Sequence, residues 1–318
     1  ARKVSNAMFI EALKALLIGL VEGITEWLPI SSTGHMILVD EFVKLQVSDS
    51  FLALFLVVIQ IGAIMAVIIL YFHKLNPFSH AKTTDERRGT WRLWGMVVIG
   101  CLPAAVFGFA LDDFMNEHFY NKVTVAAMLI LYGIVFIVLE RRNRRRFQKA
   151  LAQVEAPRGR HARISENHAE EQAEAMLFKV TDVDDIDWKT ALKIGLFQCL
   201  AMVPGTSRSG ATIIGGMLTG CSRTAATEFT FFLAIPVMLG WGLVKVVKFI
   251  LAGVAMTQTE IVVLAVGIVT AFVMSVVSIK FLMGYIKKND FTAFGIYRII
   301  VGALVLGYFA FETMGMLP

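Results

Sequence analysis

Apolar runs dominate this chain, and they fall into two kinds. Six of them, residues 51–72, 93–111, 123–139, 229–247, 261–283 and 294–311, are apolar on every face. Each has about the length of roughly twenty residues that a helix needs to cross the hydrocarbon core of a bilayer. Two others, 8–28 and 191–203, break into stretches rich in proline, glycine and hydroxyl residues, then resume as a short apolar piece. The pattern predicts an all-α polytopic integral membrane helix bundle with six transmembrane helices and two re-entrant helical hairpins. Irregular backbone at membrane depth is tolerated only where it lines protein or a water-filled cavity, so both hairpins are expected to meet inside the bundle.

Composition agrees with that class. Hydrophobic residues make up 57% of the chain and charged residues 17%, against about half and about a quarter in a soluble domain. Glycines inside the spans, among them Gly62, Gly100, Gly133 and Gly267, suit close helix packing in lipid. Such faces permit a homodimer without requiring one. The cysteines, Cys101, Cys199 and Cys221, have spacings of neither a disulfide framework nor a metal site, and read as buried thiols.

Charge then orients the spans. The net charge of +5 is concentrated in residues 73–92, 141–163 and 280–290, whereas 112–122 and 251–260 are poor in Lys and Arg. The positive-inside rule puts the three basic segments in the cytoplasm and both termini outside. Residues 141–189 form a connector, basic first and acidic later, that this orientation makes cytoplasmic. Arginines directly after a span fit anionic lipid headgroups, and nucleic acid is not expected as a partner.

An internal repeat organises the rest. "IGLVEGITEWLPISSTGH", from Ile18, overlies "IGLFQCLAMVPGTSRSGA", from Ile194, at an offset of 176 residues, with Ser31 on Ser207 and Gly34 on Gly210. Each broken segment is followed by three spans, so the halves are expected to have inverted topology. The chain divides into repeat 1 (1–140), the connector (141–189) and repeat 2 (190–318), forming one membrane domain. Inverted repeats with interrupted helices place their site near the midplane, between the halves.

The polar stretches carry the candidate chemistry. Glu22 and Glu26 lie four apart on one helical face, and two acids in an apolar helix are costly unless paired, protonated or bound to a cation. "PISSTGH" supplies Ser31, Ser32, Thr33 and His35; "PGTSRSGAT" supplies Gly205, Thr206, Ser207, Arg208, Ser209 and Thr212. Proline, glycine and small residues opening onto a helix expose backbone N–H groups to an anion, and Arg208 adds a forked donor suited to phosphate oxygens. Glu22 and Glu26 are candidate ligands for a divalent cation, Mg2+ or Ca2+. His35 could be a metal ligand, a nucleophile, a general acid/base or a helix cap. The set points to phosphoryl chemistry on an amphiphile, with a lipid-phosphate transporter as the rival reading of the same architecture.

At "EGITEWLPISSTGH" and "PGTSRSGAT" the chain closely resembles the bacterial undecaprenyl pyrophosphate phosphatases, also called bacitracin-resistance proteins. The likeness extends to "GGMLTGCSRTAATEFTFFLAIPVMLG" and "IYRIIVGALVLG". It implies removal of the terminal phosphate of a polyprenyl diphosphate, with a divalent cation, at the outer face of the bacterial inner membrane. It also implies catalytic roles for Glu22, Glu26, Ser32, His35 and Arg208, and phosphate contacts from Ser31, Thr33, Gly205, Thr206, Ser207, Ser209 and Thr212. The nucleophile, Ser32, His35 or water, stays open, as does a polyprenyl-phosphate flippase activity, alone or combined with hydrolysis.

Overall fold

A computed structural model describes residues 2–119, 121–155 and 166–314. Residues 156–165 of the predicted connector lie outside that set. The described chain is helical: α1 Arg2–Thr25, α2 Ser32–Phe42, α3 Asp49–Leu70, a single turn α4 Phe72–Leu75, α5 Thr84–Phe119, α6 Lys122–Glu155, α7 Glu166–Leu177, α8 Trp188–Cys199, α9 Arg208–Leu218, α10 Arg223–Leu251, α11 Gln258–Ile286 and α12 Thr292–Thr313. α3, α5, α6, α10, α11 and α12 are long and apolar enough to cross a membrane, and they coincide with the six predicted runs. The protein is an all-α, multi-pass membrane protein. Large apolar side chains on their outer faces, such as Leu304, Ile250 and Val269, are exposed, as a lipid-facing surface requires.

Several helices outrun their apolar cores. α5 begins at Thr84, so Arg87, Arg88 and Arg92, expected in a loop, occupy its first turns. α6 runs 34 residues, about 51 Å at 1.5 Å per residue, and carries the arginine cluster as continuous helix. Beyond the span its two faces differ. Ala150 and Val154 pack against Ala169 and Ala173 of α7, while Arg141, Arg142, Arg145, Arg146 and Lys149 form an exposed stripe.

The packing partners obey the 176-residue offset. α6 packs on α12 and α3 on α10, each pair joining corresponding helices of the two halves. α1 packs on α11 and α8 on α5, so each broken helix leans on a span from the other half. Glycines make these crossings possible. A Cβ on Gly195 of α8 would collide with the Gly100 carbonyl of α5, and one on Gly19 of α1 would lie 2.7 Å from the Gly267 carbonyl of α11.

One buried ion pair ties the bundle end together. Glu140 of α6 is fully buried and accepts from Arg223 Nε at 2.9 Å and Nη2 at 2.6 Å, and from the Phe291 amide at 3.1 Å. It thereby joins the start of α10 and the approach to α12. Removing one member of a buried pair strands the other, at a cost of about 3 kcal/mol. Glu140→Ala should therefore lower the melting temperature in detergent clearly, and an unchanged melting curve would show the pair to be idle. At the entry to α8, Asp187 accepts from the Thr190 amide at 2.8 Å, an N-cap whose hydrogen bonds hold its carboxyl below the usual range.

Candidate active site

Two turns of the same design face each other inside the bundle. α1 ends at Thr25, and residues 26–30 turn before α2 opens at Ser32; α8 ends at Cys199, and the chain turns again before α9 opens at Arg208. Ser31 and Ser207 are the N-caps. Ser31 Oγ accepts from the Gly34 amide at 3.3 Å, and Ser207 Oγ from the Gly210 amide at 3.2 Å. Both serines take positive φ, 75° and 72°, and they are the only non-glycine residues to do so among the described residues. That conformation costs on the order of 1–3 kcal/mol each and persists only where surrounding contacts hold it. Gly205, at φ 91°, has no room for a side chain, since a Cβ there would meet the Val125 carbonyl of α6.

The turns lock onto each other through three side chains. Ser209 Oγ lies 3.2 Å from the Glu26 carbonyl and 3.4 Å from that of Leu28. Arg208 Nη2 donates to Glu26 Oε1 at 3.0 Å, and its Nη1 to the Thr230 carbonyl at 3.2 Å. Ser32 Oγ donates to the other carboxylate oxygen, Glu26 Oε2, at 2.7 Å. Glu26 thus holds a guanidinium with one oxygen and a hydroxyl with the other.

Around this group lies a cavity of about 190 Å³ lined by Glu26, Ser32, Thr33, Gly205, Ser207, Arg208 and Ser209, with Gln60, Val237, Met238 and Trp241. Seven of the sequence-predicted positions therefore share one wall. At the N-terminus of α9 the first amides point out of the helix, and the dipole adds positive potential where an anion would sit.

The other predicted residues stand behind the wall. Glu22 is 2% exposed, one helical turn before Glu26, and among the described residues its Oε1 has no hydrogen-bond partner. Thr212 is fully buried; its hydroxyl donates to helix carbonyls and accepts from Thr230 Oγ1 at 2.8 Å. Thr206 is fully buried, and Ser31 is spent on capping α2. His35 is on α2 but does not line the cavity. Its Nδ1 lies 2.7 Å from the Ser31 carbonyl, which can only accept, so Nδ1 carries the proton. Nε2, 2.7 Å from the Tyr297 hydroxyl, accepts from it. The two rings stack at 5.6 Å.

Sequence reading passed over three residues. Gln60 and Tyr297 are polar groups in spans α3 and α12, one on the cavity wall and one on His35. Arg298, beside Tyr297, is fully buried and, among the described residues, donates only to main-chain carbonyls: Pro29 at 3.0 Å, Gly205 and Thr206 at 2.9 Å, and Leu129 and Met128 at 3.5 Å. Its signal was in the sequence, because a lone ionisable side chain inside a transmembrane run marks a functional position by default.

The donor set also fits a divalent cation. Glu22 offers a buried carboxylate oxygen that no group among the described residues satisfies, and Glu26 lies one turn on, just past the end of α1. Among the described residues no group of three or more His, Cys, Asp or Glu side chains gathers as a closed metal cage. One or two carboxylates completed by substrate oxygens and water is the way hard divalent ions are held beside phosphates.

Known proteins resemble the chain over nearly its whole length. The family model described as Bacitracin resistance protein BacA matches residues 15–304. The chain is 51% identical to the undecaprenyl-diphosphatase of Enterococcus faecalis over 305 residues, covering 96% of this chain and 100% of the relative. It is 51% identical to that of Desulfitobacterium hafniense over 306 residues, covering 96% and 98%. For that of Streptococcus thermophilus the identity is 50% over 305 residues, covering 96% of each.

Proposed function

Because the chain belongs to the bacitracin resistance protein BacA family, we infer that it is an undecaprenyl-diphosphatase. It releases the terminal phosphate of undecaprenyl diphosphate and leaves the monophosphate carrier in the membrane. That reaction recycles the lipid carrier for cell-wall synthesis and underlies bacitracin resistance. The observation that carries the mechanism is the double engagement of Glu26, by Arg208 on one oxygen and Ser32 on the other.

The residues take roles that follow from that contact. Arg208 and the α9 amides hold the terminal phosphate, charge against charge, with Ser207 and Ser209 on its flank. Ser32 Oγ is the nucleophile and Glu26 takes its proton. The new O–P bond forms as the bond from phosphorus to the bridging oxygen breaks, and that oxygen keeps the electron pair as part of the monophosphate. Glu26 passes that proton to the released monophosphate; a water then attacks the phosphoserine and gives its proton to Glu26, and inorganic phosphate leaves as Glu26 returns that proton to Ser32 Oγ. His35, hydrogen-bonded through both ring nitrogens, positions α2 and does not attack. Glu22 and Glu26 would hold a Mg2+ or Ca2+ ion, which when bound supplies positive charge to the phosphate oxygens.

The test is direct. Purified protein in detergent should release phosphate from a polyprenyl diphosphate, lose that activity to a chelator, and yield on acid quench a phosphoenzyme labelled at Ser32. Label on His35 would overturn the assignment of the nucleophile. Absence of phosphate release in detergent would favour a transporter, which needs two compartments.

The polyprenyl diphosphate enters from the lipid, and the membrane is the bacterial inner membrane. The arginine stripe of α6 supports a cytoplasmic position for residues 141–189 and a site that opens outward. Gly62, Gly100, Gly133 and Gly267 pack within the chain, so a homodimer would use another face.

A further inference from the structure

We propose that Arg298 is a positioning residue that holds both serine turns in the conformation that receives phosphate. The proposal rests on the site described above and adds a group that does not line it.

A guanidinium carries five N–H donors in one plane, and here they are spread over three elements. Nη1 reaches the Pro29 carbonyl in the first turn; Nη2 reaches the Gly205 and Thr206 carbonyls in the second; Nε and Nη2 reach Leu129 and Met128 of α6. The Tyr132 ring lies 5.6 Å from its central carbon. A fully buried cation satisfied by carbonyl dipoles alone is an expensive arrangement, and simple packing would be better served by an apolar side chain. Its placement explains the expense. The carbonyls it draws in immediately precede Ser207, and the Pro29 carbonyl lies two residues before Ser31, the two non-glycine residues at positive φ.

Peptide planarity carries the argument to the cavity. In a trans peptide the C=O and the N–H lie on opposite edges of one plane. Fixing the Thr206 carbonyl on Arg298 therefore directs the Ser207 N–H the other way. Ser207 lines the cavity and Arg298 does not. Arg298 thus turns an amide toward the phosphate site and adds a positive charge behind it. Lysine would keep the charge but lose the fork, because three donors on one nitrogen cannot serve three elements at once.

Arg298→Lys in the full-length protein separates these contributions. The expected result is a folded protein with a modestly lowered melting temperature, kcat lowered about 10- to 100-fold by the loosened turn, and inhibition by orthovanadate weakened in step. A folded Arg298→Lys protein with wild-type kcat, or with reduced kcat and undiminished vanadate inhibition, would overturn the proposal. Should that variant fail to fold, the unaltered protein still decides: with 15N-serine labelling, the Ser207 amide resonance should move on saturation with orthovanadate. A stationary Ser207 resonance would overturn it. Phosphate release by the unaltered enzyme tests the hydrolase reading on its own, so the two can fail separately.

Discussion

Arg208→Ala should reduce phosphate release by about three orders of magnitude or more, the range seen when an arginine that neutralises a transferring phosphoryl group is removed. The structure adds a complication that the sequence alone does not show. Arg208 is also the cation against which Glu26, with a side chain 9% exposed, is held. Its removal strands an acid, and stability should fall as well, by about 3 kcal/mol. The double variant Glu26→Gln, Arg208→Ala separates the effects: it should regain melting temperature while staying inactive. If the double variant recovered turnover, neither Arg208 as the phosphate ligand nor Glu26 as the base would stand.

Glu26→Gln by itself should lower kcat by about two to four orders of magnitude, the range for loss of a general base. Glutamine keeps the shape of the side chain and an oxygen for Arg208, so KM for the diphosphate should move far less than kcat. The same variant should accumulate no phosphoserine, because Ser32 loses the group that takes its proton. A Glu26→Gln enzyme with normal kcat would assign the base elsewhere, with Glu22 as the next candidate.

The spans were legible because periodic burial was not needed to find them: continuous apolar length is sufficient in a membrane. The turns were legible because proline, glycine and serine interrupt that length in two places. What sequence spacing could not tell was which polar groups turn inward together. Ser32 and His35 are three residues apart on α2, and only Ser32 reaches the cavity, since Tyr297, distant in sequence, captures the imidazole. Thr212 looked like a phosphate ligand by its place in "PGTSRSGAT". On α9 it lies one turn beyond Arg208, and its hydroxyl bonds back to the helix and to Thr230. Arg298 was missed for a different reason. As a lone charge in an apolar run it was visible, but its partners are carbonyls, which every residue has, so no motif announces what it holds.

The glycine crossings have a consequence for how this chain can drift. At Gly100 with Gly195, Gly133 with Gly295 and Gly19 with Gly267, backbone touches backbone, and a single methyl group at Gly133 would sit 2.6 Å from the Gly295 carbonyl. The lipid-facing positions Leu304, Ile250 and Val269 answer only to hydrocarbon and can exchange freely among apolar residues. Mutational freedom is therefore distributed like the tolerances of a machined part. It is wide on the outer surface and nearly nil along three seams, because those seams fix the separation of the two turns across which a phosphate must fit.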